Sequence, residues 1–231
     1  MALPAGAILT SLDTPLDIRM HDAARMLART PVSWRETEKQ LIEARTADPG
    51  DATLDVMWGL NQYARLTQHV VEPGLPLSQS EWAAIEDEIE ALALASLPRI
   101  DDNPLLVLAV AKLLFFIDRG HAELAARLAD EAFARSTAFA AAFALQAQMR
   151  ACQGHIDEAL LLYGKAIEMA DKESEFHVYL LVLKIVALLA GGKPKALDRA
   201  CTDLYAIKPE LKLQFGFMLG PGRWRQPGAG A

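Results

Sequence analysis

A repeat with a period of 34 residues constrains this chain more than any other feature of its sequence. Residues 120–125 read GHAELA and residues 154–159 read GHIDEA, so a Gly-His pair and an Ala return at one spacing. At the same shift, Ala132 falls on Ala166. Glycine permits a tight turn between two helices, and a small Ala lets the second helix approach the first closely. The pattern predicts stacked helix pairs, because each pair buries its apolar face only against a neighbouring pair.

Capping residues recur along the whole chain and divide it into helices. Ser78 stands three residues before Glu81, which is the spacing of a capping box. The other predicted N-terminal caps are Thr14, Ser33, Asp51, Asn103, Thr137 and Ser174. No long alternation of Val, Ile and Thr, which would predict a strand, interrupts this series. We therefore predict an all-α chain of about ten or eleven helices.

The composition agrees with packed helices and excludes several classes of protein. Of the 231 residues 52% are apolar, which excludes a disordered chain, and only 7% are aromatic. The net charge of −7 argues against direct binding of nucleic acid or of an anionic membrane surface. Cys152 and Cys201 are too few for a disulfide scaffold, and we expect both to be small buried hydrophobes.

Two apolar runs are the longest in the sequence. Residues 105–117 are interrupted by Lys112, and residues 179–190 are interrupted by Lys184. Both runs are shorter than the roughly 20 residues that span a bilayer, so they are predicted to be buried helices. Since residues 1–10 carry no Lys or Arg, they make a poor secretory signal. We expect a soluble cytoplasmic protein that does not bind membranes.

The segment 143–167 resembles a tetratricopeptide repeat (TPR), because Gly154, Ala159 and Ala166 stand at the family's spacing and Tyr163 lies where the repeat usually has an aromatic. It departs from the family pattern in having Gln146 where a Leu is common and in lacking the terminal Pro. A degenerate copy follows from residue 191. The resemblance covers most of residues 15–209 and implies a right-handed superhelix of antiparallel helix pairs with a concave surface.

The predicted domain organisation follows from this resemblance. Residues 1–13 form an N-terminal extension, residues 14–219 form the TPR-like domain with a loop insertion near 70–79, and residues 220–231 form a flexible tail. The predicted helix at 209–218 either caps the last pair or forms a homodimer.

The resemblance implies a non-enzymatic module that binds a partner protein or peptide on its concave face. The expected concave positions are nearly all apolar, so we predict no carboxylate clamp of the kind that binds chaperone tails. The groove then receives an apolar segment or is filled by the protein's own elements. The positions are Val107, Val110, Leu114, Ile117, Ala141, Ala144, Gln148, Val178, Leu181 and Ile185.

A second, narrower resemblance rests on residues 34–49, 103–137 and 175–209. These segments are similar to the C-terminal helical domain of bacterial winged-helix transcriptional regulators of the CadC/HilA type. Such a relationship implies a sensory or effector domain that binds a small ligand in an apolar interior. No recognition helix with clustered basic residues occurs in this sequence, so the DNA-binding head is missing.

Candidate residues for catalysis or metal binding are scattered. His121 and His155 share one repeat position, which separates them by about 10 Å, the helix-packing distance, so we interpret both as solvated turn residues. One acidic cluster is expected to be a solvated helix face, or alternatively to receive a basic partner, and consists of Glu81, Glu86, Asp87, Glu88 and Glu90. The apolar residues beside it are Ile85, Ile89, Leu92 and Leu94. An enzymatic role would have to use the Pro- and Gly-rich loop at 72–77. We predict no catalytic residue, no cofactor and no metal, and hence no enzyme.

Overall fold

A computed structural model describes residues 15–28, 31–71, 77–100 and 102–211, and it places the side chains of these residues except 31–35 and 68–71. The described residues form ten α-helices and no strand, which confirms the all-α prediction. The helices are α1 (Leu16–Leu27), α2 (Pro31–Ala47), α3 (Ala52–Val71), α4 (Gln79–Ile100), α5 (Pro104–Phe116), α6 (Ala122–Ala134), α7 (Ala140–Cys152), α8 (Ile156–Met169), α9 (Glu175–Ala190) and α10 (Pro194–Ile207).

Four of the predicted caps form the expected hydrogen bonds. The Glu81 amide donates to Ser78 Oγ at 3.2 Å and the Ser78 amide donates to Glu81 Oε2 at 2.8 Å, which completes the capping box. Asp51 Oδ1 accepts from the amide three residues later at 2.9 Å. Asn103 Oδ1 accepts at 3.2 Å and Ser174 Oγ at 3.1 Å. These side chains satisfy amides that have no partner within their own helix, so they fix where α3, α4, α5 and α9 begin.

The predicted N-terminal cap of α7 at Thr137 is wrong by two residues, because the cap position is Phe139. Ser136 Oγ donates to the carbonyl oxygen of Ala132 at 2.8 Å, and the Phe139 amide donates to the carbonyl oxygen of Ser136 at 3.1 Å. These two bonds hold residues 136–139 in a tight turn after α6. Thr137 is therefore an exposed turn residue, and α7 begins at Ala140.

Each helix from α2 onward packs against the next helix in the chain. In addition, α3 packs on α5, α5 on α7, and α7 on α9, so alternate helices form a layer of their own. The two long apolar runs become α5 and α9, as predicted, and residues 104–111 of α5 are all buried. None of the described helices is both long enough and apolar enough to cross a membrane.

Small residues let the paired helices approach each other closely. Ala125, Ala132, Ala159 and Ala166 are between 0 and 2% exposed, as the repeat predicts. The turn glycines ahead of them, at positions 120 and 154, have φ angles of +81° and +84°, a conformation that favours glycine. The repeat therefore has one turn geometry and one pattern of small buried residues in both copies.

Helix α1 departs from this serial order, because it lies across α5 and α7. Ala23 is 1% exposed and belongs to the main apolar core. Arg19 pairs with Asp102 next to the start of α5. The His21 ring meets the Phe139 ring edge-on, with 5.1 Å between the centroids. The chain thus covers part of its alternate-helix layer with its own N-terminal helix.

Several predictions concern residues outside the described ranges. They include the extension at 1–13, the Thr14 cap, residues 72–76 of the loop at 70–79 and the tail at 220–231. The predicted cap at Ser33, in contrast, is wrong, because α2 begins at Pro31 and Ser33 lies within its first turn. Only residues 209–211 of the helix predicted at 209–218 are described, so its capping or homodimer role stays a prediction.

Leucine at position 129 should destabilise the protein if α6 packs as closely as the structure indicates. Ala129 is 1% exposed, so the Ala129→Leu side chain has no room, and overpacking of this kind costs about 1–3 kcal/mol. Ala134→Leu on the same helix is the control, because Ala134 is exposed and its replacement should change stability by less than ~0.5 kcal/mol. Urea unfolding followed by circular dichroism measures both variants. Equal stabilities would contradict the packing.

Candidate functional site

A cavity of about 410 Å³ lies between the alternate helices and α1. Residues of α1, α3, α5, α7, α8 and α9 line it. We call the side of α3, α5, α7 and α9 that bears α1 and this cavity the inner face. The volume of the cavity lies within the ~300–1,000 Å³ that is usual for small-molecule sites. The described wall is mostly apolar, and its larger side chains include Leu60, Phe116, Leu145, Phe176 and Leu183.

A single lysine gives this apolar wall its charge. Lys112 lies in the third turn of α5, on the one side of that helix that its neighbours do not fully cover. Its ammonium nitrogen lies 5.3 Å from the centroid of the Tyr63 ring. Among the described residues it makes no hydrogen bond and no ion pair. Desolvation by the surrounding protein lowers the pKa of Lys112 to about 8.

The other titratable groups of the described part of the wall are neutral at pH 7. Burial raises the pKa values of Tyr63, Tyr163 and Tyr179 above their ordinary value of 10. Desolvation also raises the pKa of the Cys152 thiol, and the nearby Lys112 opposes this only in part. No Asp or Glu lies in the described wall. Since a group with a pKa near 8 is mostly protonated at pH 7, the described cavity carries one positive charge.

The structure brings three of the ten predicted concave residues to this cavity. Ala141, Ala144 and Gln148 lie in its wall on α7. The others lie elsewhere: Val178 is half-buried against the cluster between α9 and α10, and six residues are buried in the core. These six are Val107, Val110, Leu114, Ile117, Leu181 and Ile185.

The reason for this difference is that α5 and α9 are apolar on nearly every side. A helix buried all round has no polar face from which to read its orientation. On α5 the wall residues are Lys112 and Phe116, and on α9 they include Tyr179 and Val186. The one sequence signal for the orientation of α5 is the charge of Lys112 within an apolar run.

The acidic segment of α4 is only in part the solvated face that the sequence predicted, because Glu81 and Asp87 are exposed whereas the other three carboxylates are half-buried. Glu86 pairs with Arg119 at 3.2 Å, and Glu90 lies 2.6 Å from His121 Nε2. Glu88 accepts hydrogen bonds from Trp58 Nε1 at 2.8 Å and from Gln62 at 3.1 Å. These three glutamates are half-buried because α3 and the turn between α5 and α6 pack against them. The glutamates of this segment therefore bond α4 to α3 and to the turn between α5 and α6.

The remaining candidate residues do not assemble into a site. His121 contacts Glu90, whereas His155 is exposed at the start of α8. Cys201 is buried as predicted, but the prediction for Cys152 is wrong, because it keeps an exposed side at the end of α7. Within the described ranges, no group of three or more His, Cys, Asp and Glu residues is arranged to hold a metal ion.

Comparison with known proteins gives no match: no family model, no curated protein and no solved structure is significantly similar to this chain. The described fold and cavity define it only as an all-α protein with a small-molecule-sized cavity on its inner face.

Replacing Lys112 should raise stability at neutral pH. The folded state holds the pKa of Lys112 at about 8, against 10.5 in the unfolded chain. Charging this lysine therefore opposes folding below pH 8, and the penalty fades as the pH rises from 8 to 10.5. We expect Lys112→Met to raise Tm by about 2–4 °C at pH 7, as ~1 kcal/mol does in a chain of this size.

Calorimetry at pH 7 and pH 9.5 measures this effect. The gain of Lys112→Met over the parent protein should shrink at the higher pH. The control is Lys165→Met, which removes an exposed lysine of α8 and should leave Tm nearly unchanged at pH 7. A Lys112→Met variant that is less stable than its parent at pH 7 would contradict the assigned environment.

Proposed function

We propose that this protein is a non-enzymatic helical-repeat binding module of TPR-like architecture that takes a small apolar ligand into the cavity on its inner face. The observation that carries this proposal is the cavity itself, with its volume of about 410 Å³ and its mostly apolar wall. A concave apolar site with a few polar groups is the usual form of a small-molecule site.

The helix contacts support the TPR-like part of the proposal. Serial packing of each helix on the next, with contacts between alternate helices, is the pattern expected of stacked helix pairs. The repeated turn glycines and small buried residues of α6 and α8 favour a common pair geometry. In such an array α3, α5, α7 and α9 would be the first helices of successive pairs, and the inner face would be the concave side.

The position of α1 favours a small molecule over an extended polypeptide. A groove that received a partner helix would need a continuous free face, whereas α1 already lies across α5 and α7. Leu27, at the end of α1, lines the cavity. This arrangement agrees with the expectation that the protein's own elements fill part of the groove.

A partner protein remains the second candidate, and the rim of the cavity favours it. Val186 is 53% exposed and Ala190 is exposed, so the wall along α9 is open to solvent. An apolar side chain of a partner could enter the cavity from that side.

A sensory role is the remaining candidate, and the contact of α1 with the cavity favours it. Because Leu27 of α1 lies in the cavity wall, a bound ligand would alter how α1 packs on α5 and α7. This coupling is what a sensory domain of a transcriptional regulator would require.

A neutral apolar fluorophore tests the proposed site. We expect N-phenyl-1-naphthylamine to bind the full-length protein saturably at one site per chain. Val186→Trp should weaken this binding about tenfold, or ~1.4 kcal/mol, because the larger side chain fills the mouth of the cavity.

The matched control is Leu161→Trp, which adds the same side chain at an exposed position of α8 that does not line the cavity. This control should bind the fluorophore within about twofold of the parent protein, a difference of ~0.4 kcal/mol. Absence of saturable binding by the parent protein, or equal weakening in both variants, would refute the proposed site.

A further inference from the structure

We propose that the ligand of the cavity is a monoanion, a molecule with a hydrocarbon body and one carboxylate group that pairs with Lys112. This inference rests on the proposed function, because it assumes that the cavity binds a small molecule. It adds the chemical class of that molecule and the residue that selects it.

The first argument is the cost of an uncompensated charge. An ammonium group that loses water without gaining a counter-charge is destabilising, and protein interiors normally pair such groups. Lys112 has no acidic partner among the described residues, and none of the described wall residues is acidic. A methionine at this position would fill similar space without the penalty. An anionic ligand would supply the missing counter-charge.

The second argument is the position of the cation. The Lys112 ammonium lies over the face of the Tyr63 ring, which attracts cations through its quadrupole and limits where the charge can lie. Both residues line the cavity, so the charge is presented to a ligand. Gln148 also lines it, and no described residue hydrogen-bonds its side chain. Its amide is a second polar group of the wall that can hydrogen-bond a ligand.

The third argument is the count of charges. One cation in a mostly apolar wall matches one negative charge, whereas a dianion would leave a charge uncompensated. A zwitterion would need an acidic residue, and the described wall has none. The apolar side chains around Lys112 match a hydrocarbon body. Together these properties select an amphipathic carboxylate.

The experiment compares three ligands that share one ten-carbon chain, each below its micelle concentration or solubility limit. Decanoate, decanol and decylamine are titrated at pH 7 as competitors of N-phenyl-1-naphthylamine for the full-length protein. We expect decanoate to bind at least about tenfold tighter than decanol, and decylamine to bind weakest, because the ammonium of Lys112 repels it.

Two variants assign the preference to Lys112. In Lys112→Met the affinities for decanoate and decanol should come within about threefold of each other, while decanol binding is retained. Lys165→Met, which removes an exposed lysine outside the cavity, should keep the preference for decanoate. Retained decanol binding also shows that the Lys112→Met protein is folded.

The preference should also depend on pH. Among the described residues, the titratable groups that share the cavity wall with Lys112 are Tyr63 of α3, Cys152 of α7, Tyr163 of α8 and Tyr179 of α9. The pKa values of all four are raised, and that of Lys112 is lowered to about 8, so Lys112 loses its charge first. The advantage of decanoate over decanol should therefore shrink between pH 7 and pH 9.5 in the parent protein and stay flat in Lys112→Met.

The outcomes separate the two proposals. Equal binding of decanoate and decanol by the parent protein would overturn the carboxylate assignment and leave the apolar site standing. A preference for decanoate that survives in Lys112→Met would overturn the role of Lys112. If none of the three ligands displaces the fluorophore, and the fluorophore itself does not bind saturably, the proposed function fails as well.

Discussion

The close approach of neighbouring helices at small residues is the constraint on which the rest of this structure depends. Ala125 and Ala159 are fully buried, and each follows a turn glycine with a left-handed φ angle. Larger side chains there would separate the paired helices and change the spacing of the next pair. This spacing determines the layer of α3, α5, α7 and α9. Helix α1 packs on that layer through α5 and α7.

The inner face is where this packing leaves room for function. Helix α1 lies across α5 and α7, so the chain covers part of that face with its own residues. What remains is a cavity bounded by six helices, with Lys112 as the ionised group of its described wall. The charge of Lys112 lowers the stability of the folded protein, and in the proposed function it makes the cavity select an anion. The same residue thus links the stability of the fold to its proposed ligand.

The parts of the fold that depend on local sequence could be predicted, and those that depend on distant contacts could not. Caps such as Asp51 and Ser174 act within one turn, and the repeat placed Ala159 in the core. The sequence does not show that Lys112 and Phe116 are the residues of α5 that line the cavity, because that helix is apolar on nearly all sides. The docking of α1 was missed because it rests on contacts such as that of Arg19 with Asp102, 83 residues apart in the sequence.

Hydrogen exchange of the full chain, read by mass spectrometry, tests the central claim that α1 is stably docked on α5 and α7. An isolated helix of 12 residues is marginal in water, so α1 owes lasting protection to its contacts with α5 and α7. The account predicts slow exchange at Ala23–Leu27 in the free protein and slower exchange when decanoate is bound, because Leu27 lines the cavity. Exchange of α1 at the rate of an unstructured peptide, while α5 and α7 stay protected, would contradict it.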